Sequence, residues 1–318
     1  HRRSDTGRMI LPVEPSDALG RNPAVSYSGP MKIPARLQPL AEDGLIDEVL
    51  RPLKSGKEAD VFVVRCGGQV RCAKVFKEAN VRGFRQAAQY QEGRSVRNSR
   101  RARAMNKRTR YGQKEQEKAW LNAEVDALYR LSDAGVRVPQ PYGFTDGVLL
   151  MELITDGEGN VAPRFDGLVL DPGHARECHD RIIAEVVRML AAGLIHGDLS
   201  EFNVLLDAAG PVIIDLPQAV NAAANNSAAM MLVRDVDRMK RFFGRFAPEL
   251  LATEYGKEMW SRYASGTLEA DSQLTGVYEP TQDDVNLGEL MAIIDAAREE
   301  EEERLERMRE LESGELDD

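Results

Sequence analysis

Apolar positions recur along the chain with two different periods. Val61-Phe62-Val63-Val64, the Gly67-Gly68 pair and the run from Val70 to Phe76 predict a β-hairpin. Tyr142 to Phe144, the Asp146-Gly147 turn and Val148 to Ile154 predict a second, and Val204-Leu205-Leu206, the Asp207 to Gly210 turn and Val212-Ile213-Ile214 a third. Elsewhere the spacing is helical. Leu45, Ile46, Val49 and Leu50 form a short stripe, and Trp120, Leu128 and Leu131 mark one face of a helix from Gln113 to Ala134, with Gly135 as its stop. Asp171-Pro172 opens a long helix with Ile182, Ile183, Val186, Val187 and Leu190 as its core stripe and Gly193 at its end. Leu232, Val236, Met239 and Phe243 mark another helix, and Leu250 to Tyr263 a further one. His1 to Pro30 has no periodicity and reads as a disordered leader.

Charge changes this picture in two places. Of the net −10, the last twenty residues, Glu299 to Asp318, carry eleven acids and three arginines. Arg94, Arg97, Arg100, Arg101, Arg103, Lys107, Arg108, Arg110 and Lys114 form a stretch without a single acid. The whole-chain charge therefore says little about partners. No apolar run approaches the ~20 residues of a membrane span and no signal peptide is visible, so a cytoplasmic protein without membrane partners is expected. The three cysteines, Cys66, Cys72 and Cys178, match no metal-ligand spacing. A two-residue hairpin at Gly67-Gly68 would set Cys66 opposite Gln69 rather than Cys72, so no disulfide is expected. The chain begins at His1 rather than Met, as a fragment would.

The candidate chemistry sits in His196-Gly197-Asp198-Leu199-Ser200-Glu201-Phe202-Asn203, followed by Ile214-Asp215. An Asp five residues before an Asn, with a second Asp ending the next hairpin, is the spacing of a phosphoryl-transfer loop. Asp198 is then the base or hydroxyl-orienting group, and Asn203 and Asp215 are metal ligands, hard oxygens suited to Mg²⁺, with Mn²⁺ as a substitute. Upstream, Lys74 ends an apolar strand and would hold the α and β phosphates of ATP. Ser55, Gly56, Lys57 and Glu58 lie in a turn that would fold over the nucleotide. Glu124 falls on the apolar face of its helix, where a carboxylate needs a partner, and kinase architecture pairs it with Lys74. By the same analogy Cys72 and Val61 roof the adenine and Leu205 floors it. Met151 is the gatekeeper, and Glu152 and Ile154 offer hinge backbone bonds.

Ser-Gly-Lys-Glu-Ala at Ser55, His-Gly-Asp-Leu-Ser-Glu-Phe-Asn at His196 and Ile-Asp-Leu-Pro-Gln-Ala at Ile214 resemble the signatures of the RIO family of atypical serine/threonine protein kinases, over roughly Leu45 to Phe246. The subgroup without an N-terminal winged helix is the nearest, since the residues before the first helix are few and polar. The resemblance implies an α+β, bilobal protein-kinase-like fold of compact RIO type. Residues 1–40 would be the leader, 41–154 the N-lobe with a basic flexible loop at 81–113, 155–280 the C-lobe, and 281–318 an acidic helical tail. It also implies a protein substrate or autophosphorylation, an ATPase role in ribosome-related assembly, and contact with RNA or a ribosomal particle through Arg94 to Lys114. The alternatives are a small-molecule phosphotransferase of the aminoglycoside or choline kinase kind, which also uses His-Gly-Asp, and a non-catalytic ATP-gated assembly factor.

Three departures from ordinary protein kinases carry information. The phosphate loop keeps one glycine, Gly56; Gly197 stands where an Arg usually precedes the catalytic Asp; and Ser200 stands where a Lys often meets the γ-phosphate. The expected outcome is a stiffer loop, no switching by activation-loop phosphorylation and slow transfer. Ala247-Pro248-Glu249 looks like an activation-segment end motif, but Pro248 is read instead as opening the next helix.

Overall fold

The computed structural model describes residues 32–77 and 123–279. Its first half is a five-stranded antiparallel sheet in the order β1-β2-β3-β5-β4, made of β1 (Glu48–Ser55), β2 (Ala59–Cys66), β3 (Gln69–Phe76), β4 (Pro141–Thr145) and β5 (Val148–Glu152). The β2–β3 turn places both Gly67 and Gly68 at positive φ, which suits the twist of a two-residue hairpin and sets Cys66 opposite Gln69. All three cysteines are free. Asp146 and Gly147 turn β4 into β5 in the same way, with φ of 51° and 74°.

The segment from Leu45 to Leu50 is not helical. Val49 and Leu50 lie in β1, an edge strand with two irregularities beside Pro52, where a missing N–H costs least. Apolar residues spaced by one and four fit a bulged strand as well as a helix, and pairing with β2 decides the matter. The short helix comes earlier, α1 (Gln38–Glu42), with Pro39 in its first turn. Its Leu40 and the preceding Leu37 pack with Ile46, Val49, Val64, Ala73, Val75, Val148 and Leu150 on one face of the sheet. The leader expected to reach residue 40 therefore gives way to packed structure before its end, because Leu37 and Leu40 cover a sheet face that water would otherwise wet.

The other face receives α2, described over residues 123–133, with Val125, Leu128 and Leu131 buried and Gly135 at φ 75° beyond its end. Trp120 lies outside the described residues. A mostly helical half follows. Helix α3 (Pro172–Ala191) is capped by Asp171, whose Oδ1 accepts from the N–H groups of Gly173 and His174 at 3.0 and 3.1 Å. It is followed by β6 (Leu194–Ile195), β7 (Val204–Leu206), β8 (Pro211–Ile213) and β9 (Val220–Asn221). Helix α4 (Ala228–Gly244) buries Leu232, Val236, Met239 and Phe243 as expected.

The stretch from Leu250 to Tyr263 is not one helix. A 3₁₀ turn, Pro248–Ala252, precedes α5 (Tyr255–Ala264), and the extended backbone of Thr253 separates them. Lys240 holds that break by donating to the Thr253 carbonyl at 3.0 Å. Pro248 does open the turn, and Glu249 pairs with Arg176 at the surface. The basic stretch from Arg94 to Lys114, the loop 81–113 that contains most of it, and the tail 281–318 lie outside the described residues. No described helix is long and apolar enough to cross a membrane.

Candidate active site

Lys74 stands on the sheet face opposite Ala73 and Val75, paired across the strands with Val61 and Leu149. Its ammonium meets Glu124 Oε1 of α2 at 2.5 Å and Asp215 Oδ1 at 3.5 Å. Burial alone would pull the Lys74 amine down, but Glu124 and then Asp215 outweigh it and keep the ammonium charged. Glu124 is buried and its Oε2 makes no hydrogen bond among the described residues, so the lysine is its partner. Asp215 adopts φ 68°, a strained conformation for a residue with a side chain, and this turns its half-exposed carboxylate toward Lys74. Glu58 of the phosphate loop belongs to the same electrostatic group. Partial burial and the Asp215 charge push its carboxyl up, against the pull of Lys74.

The loop that carries Asp198 is held from two sides. His196 is buried, its Nε2 donating to the Ile214 carbonyl at 3.1 Å while its Nδ1 accepts from the Asp198 N–H at 3.3 Å. Those two roles require neutral imidazole, and burial lowers its pKa accordingly. Gly197 has φ 82°, and a Cβ there would overlap the Gln218 carbonyl oxygen, so the position ordinary kinases give to arginine has no room for a side chain. Helix α4 grips the same loop. Asp235 Oδ2 accepts from the Gly197 N–H at 2.7 Å, Arg234 donates to the Gly197 carbonyl, and Arg238 Nη1 meets Asp198 Oδ1 at 2.8 Å. Burial raises the Asp235 carboxyl to about 7.

Sequence reasoning missed these three residues. The signal was present, since Asp235 lies between Leu232, Val233 and Val236 on an apolar helix, the same anomaly that singled out Glu124.

Asn203 donates through Nδ2 to the Asp198 carbonyl at 2.8 Å, and its own carbonyl accepts from the Ile214 N–H at 2.9 Å. With the amide nitrogen so engaged, Oδ1 is the atom left for a ligand. No group of three or more His, Cys, Asp or Glu among the described residues could hold a metal alone. Two oxygens, Asn203 Oδ1 and the Asp215 carboxylate, fit Mg²⁺, which completes its shell with water and phosphate oxygens.

The turn expected to cover the phosphates is tied by a residue the sequence did not flag. Lys77 Nζ donates to the Gly56 carbonyl at 2.9 Å and to Ser55 Oγ at 3.3 Å, and pairs with Asp60 at 2.7 Å. Ser55 donates to the same Asp60 oxygen at 2.5 Å, so its hydroxyl is already engaged, while Lys57 is exposed. Val61, Cys72 and Met151 share the Lys74 face of the sheet, Cys72 lying directly opposite Met151. Cys72 is buried and its thiol pushed up to about 12. Ile154 and Leu205 meet in a separate apolar cluster with Ala162, Val212 and Ile214. The Glu152 side chain faces away from any nucleotide role. It accepts from both Arg137 terminal nitrogens, at 2.7 and 3.0 Å, and from the Gln140 N–H at 3.1 Å, while Arg137 also reaches Asp207 at 2.6 Å. The Glu152 N–H is engaged as well, donating to the Gln140 carbonyl at 2.8 Å, so the expected hinge contact would fall to the Glu152 carbonyl.

A family model for the RIO domain matches residues 60–255. The RIO-type serine/threonine-protein kinase Rio1 of Haloferax volcanii is 35% identical over 212 residues, covering 66% of this chain and 68% of that protein. The human serine/threonine-protein kinase RIO1 is 28% identical over 261 residues, with 76% of this chain but only 43% of the human protein covered. A solved structure, the Rio2 kinase-ADP/Mg²⁺-phosphoaspartate complex from Chaetomium thermophilum, is 25% identical and covers 66% of this chain and 59% of its own, with a TM-score of 0.46. With the domain match spanning more than half its length, the chain belongs to the RIO family of atypical serine/threonine protein kinases.

Proposed function

We propose that the chain transfers the γ-phosphoryl group of ATP to a serine or threonine hydroxyl of a protein, with Mg²⁺ as the metal. The observation that carries this reading is the Lys74 ammonium held between Glu124 at 2.5 Å and Asp215 at 3.5 Å, which joins sheet, helix and metal loop at one point. Lys74 positions the phosphates. Asp198, with Oδ1 held by Arg238, orients the acceptor hydroxyl through its other oxygen and takes its proton as the new O–P bond forms and the bond to the ADP leaving group breaks. Asn203 and Asp215 would hold the metal, which when bound neutralises phosphate charge. With Ser200 in place of a lysine, transfer to protein is slow and ATP hydrolysis competes with it. We place the activity in ribosome-related assembly, with the basic stretch from Arg94 to Lys114 meeting RNA phosphates.

The test is steady-state ADP release with ATP and Mg²⁺ alone, then with protein acceptors, with ribosomal particles, and with aminoglycosides or choline. Stimulation by protein or particles supports the proposal. Stimulation by the amino-alcohols alone would replace it with a small-molecule phosphotransferase.

A further inference from the structure

Helix α4 carries more than the grip on the catalytic loop. Arg234, Arg238, Arg241 and Arg245 follow one another at intervals of four, three and four residues. At 100° per residue they fall within about 60° of arc, a single row roughly 16 Å long. The row starts at the transfer site, where Arg238 meets Asp198 at 2.8 Å. Its far end is exposed, and neither Arg241 nor Arg245 pairs with a carboxylate among the described residues. Arg245 is held in place by the rings of Phe242 and Phe246, at 4.5 and 5.7 Å from its guanidinium carbon. The near end of the row is partly neutralised, Arg234 by Asp235 at 3.7 Å and Arg238 by Asp198, while Asp237 pairs with Lys240 at 3.0 Å, so the docking charge lies at Arg241 and Arg245. A cation at a helix C-terminus complements the helix dipole, which explains Arg245 but not a row reaching back to the catalytic loop.

We infer that this row is the docking surface for an acidic protein segment that presents its hydroxyl to Asp198, a reading that rests on the kinase assignment and adds the substrate class. Arg241 and Arg245 are separated by about 6 Å along the axis, close to the ~6.6 Å between alternate side chains of an extended peptide. One arginine in width, the row suits a single strand of carboxylates, and Phe202, 52% exposed on the catalytic loop, offers an apolar contact beside the acceptor. RNA is the less fitting occupant, because its phosphates repeat at every nucleotide and would meet the Asp198 carboxylate, whereas a peptide can set an uncharged hydroxyl there and keep its acids on Arg241 and Arg245.

The test uses the full chain and two serine peptides, one flanked by glutamates and one by alanines. Binding is read by fluorescence anisotropy and transfer by steady-state kinetics. The acidic peptide is expected to bind and to have the lower KM. Arg241→Glu with Arg245→Glu should raise that KM about tenfold or more, with the KM for ATP and the acceptor-free hydrolysis rate unchanged, and Arg241→Lys with Arg245→Lys should recover most of the loss. Equal KM values for the two peptides, or no response to charge reversal, would overturn the inference. So would single-stranded RNA displacing the acidic peptide with the same arginine dependence. Arginine-dependent binding without transfer would leave the docking surface standing and remove the kinase reading instead.

Discussion

The backbone N–H of Gly197 donates to the carboxylate of Asp235 at 2.7 Å, across thirty-eight residues of sequence and with both groups buried. This contact fixes the residue before the proposed catalytic Asp198 to the centre of the helical half. It also puts a carboxyl where ionisation is costly.

Burial raises the Asp235 carboxyl from the ordinary carboxylate range to about 7. A raised carboxyl releases its proton less readily in the folded state than in the unfolded one, so stability from this group is full below pH ~4 and falls as pH rises through 7. Between pH 5 and 8 the loss amounts to about 3 kcal/mol. Asp235→Asn keeps an oxygen acceptor for Gly197 without the charge, so its stability should fall less over that range. Denaturant unfolding of both proteins at the two pH values checks this; parallel pH dependence would show that Asp235 does not titrate there.

Asp215→Asn should lose metal-dependent ATP binding, whereas Asp198→Asn should bind Mg-ATP normally and lose transfer by ~10²–10⁴-fold. The two carboxylates differ in setting, Asp215 beside Lys74 and Asp198 beside Arg238. Calorimetric titration with ATP in the presence and absence of Mg²⁺ separates them, and normal Mg-ATP binding by Asp215→Asn would refute the metal assignment.

Gly197→Ala should displace the catalytic loop. A residue with a side chain at φ 82° carries about 1–3 kcal/mol of strain, and the new methyl would also meet the Gln218 carbonyl oxygen. Lower thermal stability and lost turnover are the expected result. A variant as stable and active as the parent would mean that the loop adopts another conformation.

Cys72 should resist alkylation at pH 8 even without nucleotide, because its thiol is buried and pushed up to about 12. ATP is expected to slow the residual reaction further without altering that of Cys66. Mass-spectrometric labelling rates with iodoacetamide read both effects; equal Cys72 rates with and without ATP would remove it from the adenine roof.

What could be read from the sequence was local. Gly67-Gly68 and Asp146-Gly147 announce turns because few other pairs tolerate two positive φ values, and Asp171-Pro172 announces a helix start through a side chain that caps its own backbone. Glu124 was legible for a different reason: a carboxylate on an apolar face must find a charge, and the analogy with kinase architecture named Lys74 as its partner. The same reasoning applied to Asp235, whose partner is a backbone N–H and leaves no mark in the sequence.

The sequence by itself determined the motifs around Asp198 and Asp215, the hairpins and the long helix capped by Asp171, since each depends on residues within a few positions of one another. Tertiary structure alone decided that Leu45 to Leu50 lead into and join an edge strand, that the Glu152 side chain serves Arg137, and that Arg238 holds Asp198. In these cases the energy lies in a contact between groups far apart in the chain, and the same residue types fit other partners equally well until the fold brings one pair within hydrogen-bonding distance.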